Sequence, residues 1–78
     1  MIFFRFIKRT KNGLYRTNTY TRMVPITKLE YIDYDHYTNK MHFYFDGYSI
    51  DVDGSKDEMD SLKLQIDNKF DIIDIKED

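Results

Sequence analysis

The chain has 78 residues, no cysteine, a net charge of −2, and an aromatic supply of seven Tyr and six Phe without Trp. That length holds one domain, and the missing cysteines exclude disulfides and thiolate metal centres as reinforcement. No apolar run approaches the roughly 18 residues that a membrane-spanning helix needs, which removes a membrane partner of that kind.

A domain this small buries only about 60% of its unfolded surface, so dense aromatic packing or oligomerisation has to supply stability. The opening MIFFRFIKR is not read as a signal peptide, because Arg5 breaks its apolar run and no small-residue cleavage site follows. Ile2 to Arg9 instead predicts a strand, with Ile2, Phe4 and Phe6 on one face and Phe3, Arg5, Ile7 and Arg9 on the other. Asn12-Gly13 predicts a type I′ hairpin turn. The return strand, Leu14 to about Met23, is rich in Thr and Tyr and is ended by Val24-Pro25.

The segment from Leu29 to Asp53 predicts three more strands and the packing centre of the molecule. Tyr31, Asp33 and Asp35 alternate with Ile32 and Tyr34, and a polar loop, His36 to Lys40, follows. Met41, Phe43 and Phe45 alternate with His42, Tyr44 and Asp46, the pattern of a half-buried strand. Asp46-Gly47 is a second type I′ candidate, leading into Tyr48, Ile50 and Val52 against Ser49, Asp51 and Asp53. Gly54 then breaks the strand, and Ser55 with Glu58 forms a capping box. Met59, Leu62, Ile66 and Phe70 fall at helical spacing, with Asn68 as the stop. Phe70 to Ile75 fits either a last helical turn or a final strand, and the closing Lys-Glu-Asp is expected to be mobile. The expected architecture is α+β: an antiparallel sheet of about five strands, two hairpins plus a following strand, with one C-terminal helix packed on a face.

Charge divides the chain sharply. Residues 1–29 carry seven Lys or Arg and no acid, whereas residues 30–78 carry fourteen acids and five lysines. The basic half interleaves Lys8, Arg9, Lys11, Arg16 and Arg22 with Tyr15 and Tyr20, a composition that neutralises phosphates and stacks bases in single-stranded nucleic-acid modules. The acidic half offers Asp33, Asp35, Asp51, Asp53, Asp57, Glu58, Asp60 and Asp67, an array able to stand in for phosphates before a basic channel. Joining the two halves between copies would give a homodimer or larger homo-oligomer.

Chemical motifs are sparse. His36 and His42 are the only histidines, and their spacing lacks the third ligand that zinc catalysis uses. Ser49 to Asp60 carries acids and Gly54 at several calcium-loop positions, but Ser49 and Asp60 stand where that loop has Asp and a bidentate Glu. No nucleophile elbow, phosphate loop or catalytic cysteine occurs, so neither an enzyme nor a cofactor is expected. Gln65 to Phe70 resembles the peptide that docks on sliding clamps at Gln65 and Phe70, with Asn68 where an aliphatic anchor belongs.

Alanine is absent, and Ile, Lys, Asn, Tyr, Phe, Asp and Met, largely residues of AT-rich codons, are heavily used. In this style the whole chain resembles the small early host-takeover and inhibitor proteins of phages that infect low-GC Gram-positive bacteria. The resemblance implies a non-enzymatic inhibitor in the host-cell cytoplasm that binds a replication, repair or defence protein. A DNA sliding clamp and a defence nuclease such as a CRISPR effector are the target classes, their DNA-binding surface occluded partly by acidic DNA mimicry.

Overall fold

A computed structural model describes residues 1–14 and 16–78. Its elements in chain order are β1 (Phe3–Asn12), β2 (Arg16–Pro25), a single 3-10 turn (Ile26–Lys28), β3 (Leu29–Asp35), β4 (Lys40–Phe45), β5 (Tyr48–Asp53), α1 (Lys56–Asp67) and β6 (Ile72–Lys76). The α+β class holds, but the single five-stranded sheet does not. Six strands form two three-stranded sheets, ordered β2-β1-β6 and β3-β4-β5. The physical reason lies in the Phe70–Ile75 segment, left open above: from Ile72 onward it enters β6, which pairs parallel to β1 from Phe3↔Ile72 to Ile7↔Lys76.

The alternation read in the sequence decides which faces meet. Phe4 and Phe6 of β1, Val24 of β2, and Ile73 and Ile75 of β6 turn inward. They meet Met41, Phe43 and Phe45 of β4 and Ile50 and Val52 of β5, and all ten are buried. Rings cross edge to face at the centre: Phe43 lies 5.6 Å from Phe4 and 5.5 Å from Phe6, and Phe45 lies 6.0 Å from Phe6. Such contacts add about 0.5–1.5 kcal/mol each beyond the area they bury. They supply the aromatic reinforcement expected of a short cysteine-free chain.

Among the described residues the two layers close at one margin. Val52 of β5 bridges Glu77, the Asp78 N–H donates to the Asp51 carbonyl at 3.0 Å, and Lys40 Nζ reaches Asp78 at 2.6 Å. The closing residues 76–78, expected to be mobile, are therefore pinned to β1, β4 and β5. At the opposite margin β2 and β3 each pair on one side only.

The helix does not lie across a sheet on the predicted stripe. Met59, Ile66 and Phe70 remain exposed, while Leu62 packs on the core and Gln65 is the buried helical residue. Gln65 uses both ends of its amide on the outer edge of β6: Nε2 donates to the Asp74 carbonyl at 2.9 Å, and the Asp74 N–H donates to Oε1 at 2.7 Å. One side chain thus takes the place of a neighbouring strand, which explains why an amide outcompetes Ile66 for the buried position.

Local signals were met in altered form. Ser55 caps α1 by accepting from the Glu58 N–H, but its own N–H goes to Asp53 Oδ1 at 2.9 Å rather than to the Glu58 side chain. Neither Asn12 nor Asp46 heads a type I′ turn. Asn12 pairs with Arg16 inside the ladder, and at the second turn only Gly47 has positive φ, at +81°. The helix ends at Asn68 as expected, with Lys69 left-handed at φ +56°. The Lys69 N–H reaches the Ile66 carbonyl and the Phe70 N–H reaches that of Gln65, the double bond of a Schellman motif.

Two stability outcomes follow. Lys69→Gly should raise the chemical denaturation midpoint by an amount worth about 1 kcal/mol, because it relieves a left-handed side chain. Gln65→Met should lower it by about 1–3 kcal/mol, because both Asp74 backbone groups lose their partner.

Candidate partner-binding faces

Only the first five residues of β1 are flanked on both sides, so Lys8 to Asn12 and the matching part of β2 continue as a two-stranded finger. At about 3.3 Å per residue the finger projects roughly 17 Å past the three-stranded part. Its register puts Lys8 opposite Tyr20, and Arg9 and Lys11 opposite Thr19 and Thr17. Lys8, Tyr20, Arg16 and Arg22 therefore share one face, and Arg9 and Lys11 the other. Arg22 lies 4.0 Å from Glu77, whereas Lys8, Arg9, Lys11 and Arg16 have no ion-pair partner among the described residues. Tyr15, also expected in this set, lies outside the described residues.

The acidic set divides in two. Asp33 pairs with His42 and Asp35 with Lys40 across β3–β4, while Asp51 and Asp53 pair with the same two residues across β4–β5. All four aspartates consequently stand on the outer face of the second sheet, in rows on its two outer strands. Strand spacing separates those rows by about 10 Å, and carboxylates within a row by about 7 Å. The other acids, Asp57, Glu58, Asp60 and Asp67, belong to α1, which lies against β6 and not over this face. Glu58 instead borders a cleft of about 360 Å³ with Arg9, Ser61 and Lys76, and Asp60 pairs with Lys56 at 3.6 Å.

Between the aspartate rows runs a central row from β4. His42 Nδ1 lies 2.6 Å from Asp51 Oδ1, and Lys40 is held in its charged form chiefly by its hydrogen bond to Asp78. Further along, Tyr31 and Tyr44 stack with centroids 4.4 Å apart and planes 17° from parallel. The Tyr44 phenol is held above its ordinary value by loss of surrounding water, then by Asp33, Tyr31 and Asp51. It therefore remains a neutral donor and ring. Sequence reasoning passed over this pair. The signal was present in the loop length, since a four-residue connection between Asp35 and Lys40 sets Tyr31 beside Tyr44 in unbroken register.

The sequence motifs for metals and clamp docking find other uses. Among the described residues, no group of three His, Cys, Asp or Glu is placed to hold a metal ion. Ser49 to Asp60 is not one loop: it runs from β5 into α1, and Asp53 spends an oxygen on the Ser55 N–H. Gln65 is committed to β6 and so is withheld from a partner, although Ile66 and Phe70 are exposed.

Asp35 caps its own loop, its Oδ1 accepting from the Tyr37 N–H at 2.9 Å. That bond first, and the Thr38 hydroxyl next, hold its carboxyl below the ordinary aspartate value. A depressed folded-state value means that the loop's stabilisation is present above the unfolded value and is lost as pH falls through the folded one. The Tyr37 amide shift in an NMR titration should accordingly have a midpoint on the acid side of an unstructured aspartate. A comparison with known proteins gives no match to any family model, curated protein or solved structure.

Proposed function

We propose that the protein is a non-enzymatic inhibitor of the phage host-takeover kind. In this reading the outer face of β3-β4-β5 covers the DNA-binding surface of a host replication, repair or defence protein. The observation that carries the reading is the pair of aspartate rows, Asp33 with Asp35 and Asp51 with Asp53, with the Tyr31–Tyr44 stack at their end. Two lines of negative charge about 10 Å apart resemble the paired phosphate lines bordering a duplex groove. DNA-binding surfaces are rich in Arg and Lys; carboxylates take guanidinium in bidentate fashion, and aromatic faces attract the same cation. A DNA sliding clamp and a defence nuclease such as a CRISPR effector remain the target classes proposed.

The test is affinity capture from a Gram-positive host lysate, run in parallel with wild type and with Asp33→Asn, Asp35→Asn, Asp51→Asn and Asp53→Asn combined. The expected result is a DNA-processing protein that wild type retains, that added duplex DNA displaces, and that the variant loses. Equal recovery on both, or no DNA-processing protein on wild type, overturns the reading.

The finger cations that have no ion-pair partner among the described residues favour a second reading, in which Lys8, Arg9, Lys11 and Arg16 neutralise a single strand while Tyr20 stacks on a base. Four such contacts predict a slope of about −3 for log affinity against log salt. Fluorescence titration of a labelled oligonucleotide reads that slope. Changing all four cations to Gln should abolish binding, and a slope near zero in wild type removes this alternative.

A further inference from the structure

The margin where β2 and β3 lie is open, and its composition says what closes it. Because β5 and β6 meet at one margin, the strand orders β2-β1-β6 and β3-β4-β5 place β2 and β3 together at the other, joined by the 3-10 turn. Each leaves one row of backbone donors and acceptors without a strand partner. Edge strands of monomers are ordinarily protected by charged side chains, above all lysine, by proline, by bulges or by a covering element. β3 has a register shift only at its start, between Leu29 and Tyr31, and no lysine or proline thereafter. It exposes Tyr31 on one face and Ile32 and Tyr34 on the other, the last two continuing the inward face that holds Phe43 and Met41. Tyr20 on β2 likewise continues the inward face beyond Val24 and is more than half exposed.

We propose that a second copy of this chain closes the margin, with β2 of one copy adding along β3 of the other and, by a two-fold axis, the reverse. Charge selects this pairing over its alternatives. β2 carries Arg16 and Arg22 and no acid; β3 carries Glu30, Asp33 and Asp35 and no base. Pairing β2 with β2, or β3 with β3, sets like charges side by side, which destabilises a ladder. Pairing β2 with β3 sets opposite charges together. An axis running along the open margin exchanges the two layers, so each three-stranded sheet continues into the partner's other sheet. The contact is isologous and closed, giving two six-stranded sheets in which β3, of 7 residues, covers most of the edge of β2, of 10. It covers Ile32, Tyr34 and Tyr20, and it adds the oligomeric reinforcement that a small core invites. The inference does not rest on the inhibitor reading, since its test involves no host protein.

Sedimentation equilibrium at low salt should give twice the 9.5 kDa chain mass, falling toward the monomer as salt rises. Arg16→Glu with Thr19→Glu should be monomeric, as should Glu30→Lys with Asp33→Lys. Arg22 is left in place because it lies near Glu77. An equimolar mixture of the two variants should recover the dimer, because each strand again faces its opposite charge. A monomeric wild type at its highest soluble concentration overturns the proposal, as do variants that stay dimeric or a mixture that fails to recover. For variants that do not fold, wild type of mixed isotope labelling decides. Intermolecular NOEs from the Ile32 methyls to β2 of the other copy are expected, and their absence in a dimer equally overturns the pairing.

Discussion

The fold depends on how the outer edge of β6 is satisfied. β6 is held on one side by β1 and through Ile73 and Ile75 by the core, and on its other side the side-chain amide of Gln65 supplies both hydrogen bonds that a seventh strand would have given at Asp74. β6 orders the residues after it, whose Glu77 N–H donates to the Ile7 carbonyl and whose Asp78 N–H donates to Asp51, tying the two layers together. On the outer face Arg5 grips the Asp74 carboxylate with two nitrogens, so the residue that receives the helix also fixes β1. An exposed ion pair of this kind adds little energy by itself. Its value is geometric, since Asp74 is held from its backbone and from its side chain in different directions.

Charge and topology act in concert. The chain is basic before residue 30 and acidic after it, and the fold keeps those halves apart instead of neutralising them. The cations sit on a finger that outruns its sheet, and four aspartates sit on the far face of the other sheet. Among the described residues the ion pairs that cross the boundary, Arg5 with Asp74 and Arg22 with Glu77, both involve the last strand or its extension. Self-repulsion within each half is the energetic cost of this arrangement, and attraction for an oppositely charged surface is its consequence.

Alternation made the strands and most of the core legible in the sequence. Phe4 and Phe6, Met41, Phe43 and Phe45, and Ile50 and Val52 lie inward where a period of two puts them. Firm register was foreseeable for the same reason, because a one-residue slip would bury Asp51 and Asp53. Sheet membership was not legible. Ile72 to Lys76 is too short to distinguish from a fraying helix, and its parallel partner lies almost the whole chain away. The helix face was misjudged because periodicity counts only apolar residues, while the decisive contact at Gln65 is polar. The aspartate rows were readable residue by residue, but not that α1 carries its own acids on a separate surface, which depends on where the helix docks.

The pairing of Phe3 with Ile72 has a kinetic consequence. Hairpins β1-β2 and β3-β4-β5 close through short connections, so they form early and locally. β1 can finish its sheet only when β6 arrives, which links residues 69 positions apart. During synthesis the hairpins emerge first and wait with Phe4 and Phe6 incompletely covered until the helix and β6 leave the ribosome. Until that non-local pairing forms, the chain's most aromatic surface stays incompletely covered.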